Sequence, residues 1–236
     1  MSILVKAIQN QYYTFRSYLA KKYSAKVFRI SIDGFQGCRG RCIFCEQHFY
    51  SQPTQSLEDQ VEKLMFYFRK RYRAKQFYLY LQKGTNTDAP VEKLREYYDH
   101  VLLLGAFVGF IVGTRPDCVN EDVIALLADY EKQYDVWIEY GLQSSHNRTL
   151  DFIKRNHSYE DFLHAVEITA RRGLKITVHL ILGLPGETIT DVVETVRRLS
   201  ALPIQGIKFH HLYILENTPL AEMYALKQYT PFTYEE

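Results

Sequence analysis

Three of the four cysteines fall within eight positions, in Gly37-Cys38-Arg39-Gly40-Arg41-Cys42-Ile43-Phe44-Cys45. Thiolates are the ligands of iron–sulfur clusters. A loop spaced C-x3-C-x2-C is short enough to wrap one cube and give each of three irons a sulfur. An electron-transfer cluster takes four cysteines, and a structural zinc site closes four ligands around its metal. Three thiols therefore leave one metal position open to a substrate or cofactor. A zinc loop and a set of unligated surface thiols are the alternatives. The fourth cysteine, Cys118, reads as a small buried hydrophobe, with a radical relay or auxiliary ligand as the functional alternative.

Elements must hold that loop in place. The chain has 236 residues, 47% of them hydrophobic, and a formal charge of +2, so it can bury a sizeable core as one domain. A near-balanced charge does not announce a nucleic-acid partner. Strand-like runs cover 27–32, 77–82, 107–112, 136–142, 175–182 and 206–213, and helical patterns separate them. Ser56, Asn120 and Ser158 are N-cap signals, and Pro90 suits a first helical position. A basic, aromatic-rich helix over 11–23 precedes the first strand. This alternation predicts a parallel α/β sheet with right-handed crossovers.

The strands carry a second message. Val136, Ile138, Tyr140 and Leu142 share one face of their strand, and Trp137, Glu139, Gly141 and Gln143 share the other. A flat parallel sheet covered on both sides should read as nearly continuous apolar residues. One apolar and one polar face predict a curved sheet instead: a partial (β/α)6 TIM-like barrel with helices outside and a functional cavity inside. Its site belongs at the C-terminal ends of the strands. Those ends carry Thr85, Asn86 and Thr87, then Arg115, then Glu139 and Gln143, then Ile181 and Gly183, and finally Leu212 and Tyr213. Glu139 paired with Arg115 is the structural alternative. His179, Lys208 and His210 face inward by alternation, Lys208 as a group for a carboxylate or phosphate. His157 reads as a loop residue before the Ser158 cap.

The cysteine motif, with Phe44 before its last cysteine, resembles the signature of the radical S-adenosylmethionine (SAM) superfamily. Segments 113–118, 139–144, 179–188 and 206–220 are similar to the bacterial YhcC/YtqA-type subfamily, relatives of the Elongator catalytic subunit. That subfamily has a longer insertion between its first two cluster cysteines than Cys38 and Cys42 have. The resemblance implies a 4Fe–4S cluster on Cys38, Cys42 and Cys45. It further implies SAM chelated at the open iron and split to methionine and a 5′-deoxyadenosyl radical. Phe44, Thr85, Asn86, Thr87, Arg115, Glu139, Gln143, Ile181, Gly183, Leu212 and Tyr213 are the implied SAM contacts. Partners implied are an electron donor such as flavodoxin or ferredoxin, and transfer RNA modified at its wobble uridine. A small-molecule or peptide substrate, and a cysteine-based metal or redox sensor, are the competing readings.

The clustered cysteines do not form a disulfide scaffold. No signal-peptide pattern opens the chain, and no apolar run approaches the length of about 20 residues a membrane helix needs. The expectation is a soluble cytoplasmic protein without a membrane partner. Residues 1–25 are expected to form an N-terminal helical extension, 26–220 the core domain, and 221–236 the start of a further segment. The run Arg69-Lys70-Arg71-Tyr72-Arg73 reads as a solvated helix end, with an RNA-tracking patch as the alternative. Thr233-Tyr234-Glu235-Glu236 has the form of a capping box at a chain end, which suggests a shortened C-terminal segment.

Overall fold

The computed structural model describes residues 12–34, 38, 40–45 and 55–233. Gly37 and Arg39 of the cysteine motif, and Tyr234, Glu235 and Glu236 of the terminal capping-box pattern, lie outside the described residues. Six parallel strands form one sheet in sequence order: β1 Val27–Ile32, β2 Gln76–Leu81, β3 Phe107–Thr114, β4 Asp135–Gln143, β5 Lys175–Leu182 and β6 Gly206–His211. A strand order that never reverses curls the sheet one way, which makes the expected half-barrel. Ahead of β1 lies α1 Phe15–Lys22. The crossovers contain α2 Leu57–Tyr72, α3 Val91–Leu103, α4 Glu121–Tyr130, α5 Asn147–Phe152, α6 Tyr159–Arg171 and α7 Ile189–Ser200. After β6 comes α8 Pro219–Ala225, and a 3-10 turn, Pro116–Cys118, follows β3.

Local chemistry starts these helices. Ser56 Oγ accepts from the Asp59 amide at 3.1 Å, and Asn120 Oδ1 accepts from the Val123 amide at 3.0 Å. Ser158 with Asp161, and Thr188 with Asp191, make reciprocal capping boxes. Pro90 takes the cap position itself, one residue ahead of the expected place. The outer strand face buries Leu79, Phe110, Val112, Ile138, Val178 and Leu180 against Leu94, Ile124, Leu127, Phe162 and Ile168 of the helices. Each such side chain contributes roughly 1.5–3 kcal/mol by leaving water, so this layer supplies most of the stability.

The inner face departs from the uniformly polar lining expected. Its lower half is an aromatic plug in which Leu19 of α1 packs with Tyr78, Tyr80, Ile111 and Trp137. Phe15 and Tyr18 meet Trp137 edge-on at 5.5 and 5.1 Å. Beneath the plug the buried Asp135 carboxylate accepts from Tyr18 Oη at 2.7 Å and pairs with Lys22 at 2.8 Å and Lys175 at 3.0 Å. Above the plug, the polar half of the interior lies toward the C-terminal ends of the strands.

A second apolar cluster caps that end: Ile43, Leu150, Ile153, Ile181, Leu184, Leu220 and Tyr229. It joins the cysteine loop to α5, β5 and α8. Neither α5 nor α8 was expected. Six residues give α5 too little length for a periodic signal, whereas Thr218 and Pro219 did offer an N-cap and first-position pair for α8. Among the described residues, no helix is long and apolar enough to cross a membrane.

Candidate active site

The cysteine loop leaves the C-terminal end of β1 and is pinned by its own backbone. The Ile43 amide donates to Ile153 O at 3.1 Å, and Ile43 O accepts from the Leu220 amide at 3.0 Å. The Cys45 amide closes a turn on Cys42 O at 3.1 Å. Gly40 lies close against two of the sulfurs: a Cβ there would lie 3.1 Å from Cys38 Sγ, 3.8 Å from Cys42 Sγ and 2.9 Å from Arg115 Nη1. The first two sulfurs therefore gather around one point. The Cys42 thiol is held below the ordinary thiol range by the hydrogen bond from Cys45 and by the Arg155 and Arg115 cations, against the upward push of burial. A thiol held toward its thiolate in this way is in the form that binds iron. Cys118 lies outside this set, half-buried, its thiol pushed up to about 12 by burial and the nearby Asp117 charge.

Beside the loop opens a cavity of about 360 Å³, within the range of small-molecule and cofactor pockets. Cys38, Phe44, Cys45, Arg115, Glu139 and Gln143 line it, as do Ile181, Leu212 and Tyr213. Gln143 ends β4 at a register shift with φ of 75°, a backbone conformation rarely kept without cause by a non-glycine residue. Its Oε1 is buried and has no hydrogen-bond partner among the described residues, and the same holds for His179 Nε2. Both residues line the cavity. Burial and the neighbouring Lys208 charge hold His179 neutral, its pKa lowered to about 3. Buried polar atoms in native proteins find partners, so two orphans facing one cavity mark a polar ligand's place.

Four expected contacts are not brought to the cavity wall. Asn86 is fully buried, and its Nδ2 donates to Leu81 O at 3.0 Å and Gly113 O at 2.8 Å. Thr87 Oγ1 lies 2.5 Å from Thr114 Oγ1 and donates to Cys118 O at 2.6 Å. These two tie the loop after β2 to β3, and Thr85 lies buried beside them. Gly183 faces the Phe232 ring, and its carbonyl accepts from Tyr229 Oη at 2.7 Å. The Glu139–Arg115 alternative is also not realised. Arg115 Nε donates to Asp117 Oδ1 at 2.9 Å, while Glu139 accepts from Tyr80 Oη and from Lys208 Nζ at 3.1 Å. Lys208 is thus a partner of Glu139 and of Tyr80 Oη, 2.7 Å away, rather than an unpaired anion binder.

Arg155 is the site residue that sequence reading missed. It lines the cavity, places Nη1 3.4 Å from Cys42 Sγ, and donates from Nη2 to Gly141 O at 2.6 Å. In sequence it sits in a loop with no periodicity to orient it. The one available signal was Gly141 on the inner face of β4, where a Cβ would stand 2.8 Å from Arg155 Nη2.

Residues 32–199 match the family model described as the Radical SAM superfamily. The chain belongs to the radical SAM superfamily. An uncharacterized protein of Methanocaldococcus jannaschii is 37% identical to this radical SAM chain over 240 residues, covering 96% of it and 74% of that relative. Protein YhcC of Escherichia coli is 35% identical over 213 residues, covering 86% and 69%. A tRNA uridine(34) acetyltransferase of Methanocaldococcus jannaschii is 28% identical over 149 residues, 61% of this chain and 26% of that enzyme. In fold, the chain matches Elp3 of Methanocaldococcus infernus with an N-terminal deletion, at a TM-score of 0.62 and 20% identity, over 75% of this chain and 45% of that one. It spans about half the length of such solved structures. The match over residues 32–199 makes this chain an enzyme of that superfamily.

Proposed function

We propose that Cys38, Cys42 and Cys45 hold a 4Fe–4S cluster, that the adjoining cavity binds SAM, and that together they act on transfer RNA. A cluster with one open iron supplies the electron that splits the SAM sulfonium, the chemistry this superfamily shares. The protein contributes placement and exclusion of water. Gln143 and His179 offer unmet hydrogen-bonding atoms to the polar parts of SAM, and Ile181, Leu212 and Phe44 offer apolar contact. Glu139 presents a carboxylate fixed by Tyr80 and Lys208. One observation carries the reading: Cys38, Cys45 and two orphaned polar side chains line one cavity at the mouth of the half-barrel, with Cys42 Sγ near the same point as Cys38 Sγ.

Anaerobically reconstituted, reduced protein, supplied with electrons by a flavodoxin- or ferredoxin-type donor, should convert SAM to 5′-deoxyadenosine. Cys42→Ala should abolish the product, and equal yields from the two proteins would remove the cluster assignment. Support for RNA comes from the uridine(34) acetyltransferase likeness and is an argument by analogy. Transfer RNA should bind with an affinity that falls steeply between about 50 and 200 mM salt. No binding at the lower salt would favour a small molecule or peptide.

A further inference from the structure

The Arg155 guanidinium is fixed on three sides. Nη2 donates to Gly141 O at 2.6 Å, Nε donates to His157 Nε2 at 3.0 Å, and Nη1 points at Cys42 Sγ, 3.4 Å away. His157 Nε2 also lies 3.2 Å from Gly141 O and Nδ1 lies 3.2 Å from Ser158 O; for Nε2 to accept from the guanidinium, the ring carries its proton on Nδ1, which then donates to Ser158 O. His157 is only 4% exposed. Burial and the Arg155 charge keep it neutral, with its pKa lowered to about 4. Gly141 leaves the room that the fork occupies. A planar, always-charged fork held this way loses little freedom when it donates.

Arg115 makes an instructive contrast. Its Nη1 is 3.8 Å from Cys38 Sγ, and its charge is paired with Asp117. Arg155 has no carboxylate partner among the described residues. Its uncompensated positive charge therefore faces a sulfur.

We propose that His157 and Arg155 form a positioning pair for Cys42, in which His157 orients the guanidinium and Arg155 donates to the ligand sulfur and raises the cluster's reduction potential. The proposal rests on Cys42 being a cluster ligand. Hydrogen bonds and charge near cluster sulfurs shift potential because reduction adds negative charge that a nearby donor stabilises. Arg155 anchors this effect, and His157 acts only through it.

The test is a redox titration of the reconstituted protein without SAM, followed by electron paramagnetic resonance, with iron content measured in parallel. Arg155→Met should lower the ratio of reduced to oxidised cluster about tenfold at a fixed potential, the factor expected of one charge-assisted hydrogen bond favouring the reduced state. His157→Leu should shift it in the same direction without touching a ligand. His157→Gln, whose amide oxygen can accept from Arg155 Nε, should stay near the wild-type curve. His157→Leu with full iron and the wild-type potential would overturn the proposal, even if Arg155→Met fails to reconstitute. Absence of a cluster signal in the wild-type protein would instead overturn the cluster assignment itself.

Discussion

A buried imidazole that accepts a hydrogen bond from a guanidinium cannot take up a proton without losing that bond. His157 is in that position, and its folded-state pKa of about 4 lies below the ordinary histidine value of 6.5. Between those values the unfolded chain binds a proton that the fold refuses. The contribution of His157 is therefore complete above pH 6.5 and is lost progressively as pH falls toward 4. From pH 7 to pH 5 the metal-free protein should lose about 2 kcal/mol more than His157→Gln does, by urea unfolding. Parallel losses would show that the ring is not held neutral. The same residue shows what sequence can and cannot give. The spacing of Cys38, Cys42 and Cys45 reads as a ligand set because cluster chemistry favours such spacing. The roles of His157 and Arg155 were not legible, because they depend on a carbonyl of β4 that only the fold brings near. Asn86 and Thr87 read as ligand groups for a related reason: loop polarity looks the same whether a side chain serves a ligand or a neighbouring backbone.

At the scale of elements, the alternation of apolar and polar residues located all six strands and the curvature of the sheet. It did not show that the barrel floor is closed. Tyr78, Tyr80 and Trp137 alternate with core residues as a pocket wall would, and only docking of α1 turns them into a plug. Asp135 anchors that arrangement. Although burial pushes its pKa up, Lys22, Tyr18 and Lys175 hold the carboxylate below its ordinary value. Asp135→Ala leaves the Lys175 ammonium with Glu131 alone, leaves Lys22 and Tyr18 with only each other, and should cost about 3 kcal/mol. Trp137 is the chain's single tryptophan, so its emission reports directly on α1. A red shift in native Asp135→Ala, with a lower urea midpoint, is expected. An unchanged spectrum and midpoint would mean that α1 is held by its apolar contacts alone.

Across the whole molecule, stability and chemistry occupy different layers. The large core lies between sheet and outer helices, whereas the thiols sit beyond the strand ends on a loop fixed through Ile43 to Ile153 and Leu220. Small zinc-binding domains fold only with their metal because the metal replaces a core. Here the core is complete without it. Removal of the proposed cluster by chelation should therefore leave the cooperative urea transition within about 1 kcal/mol of the loaded protein, since only a loop and its neighbours lose a constraint. Amide hydrogen exchange should quicken in residues 38–45 and at the cavity rim, while β2 to β5 keep their protection. Adding SAM to the loaded protein should raise its stability with ligand concentration, as binding to the folded state alone requires. Global loss of protection on chelation would show the opposite coupling, in which the thiol site holds the half-barrel together rather than resting on it.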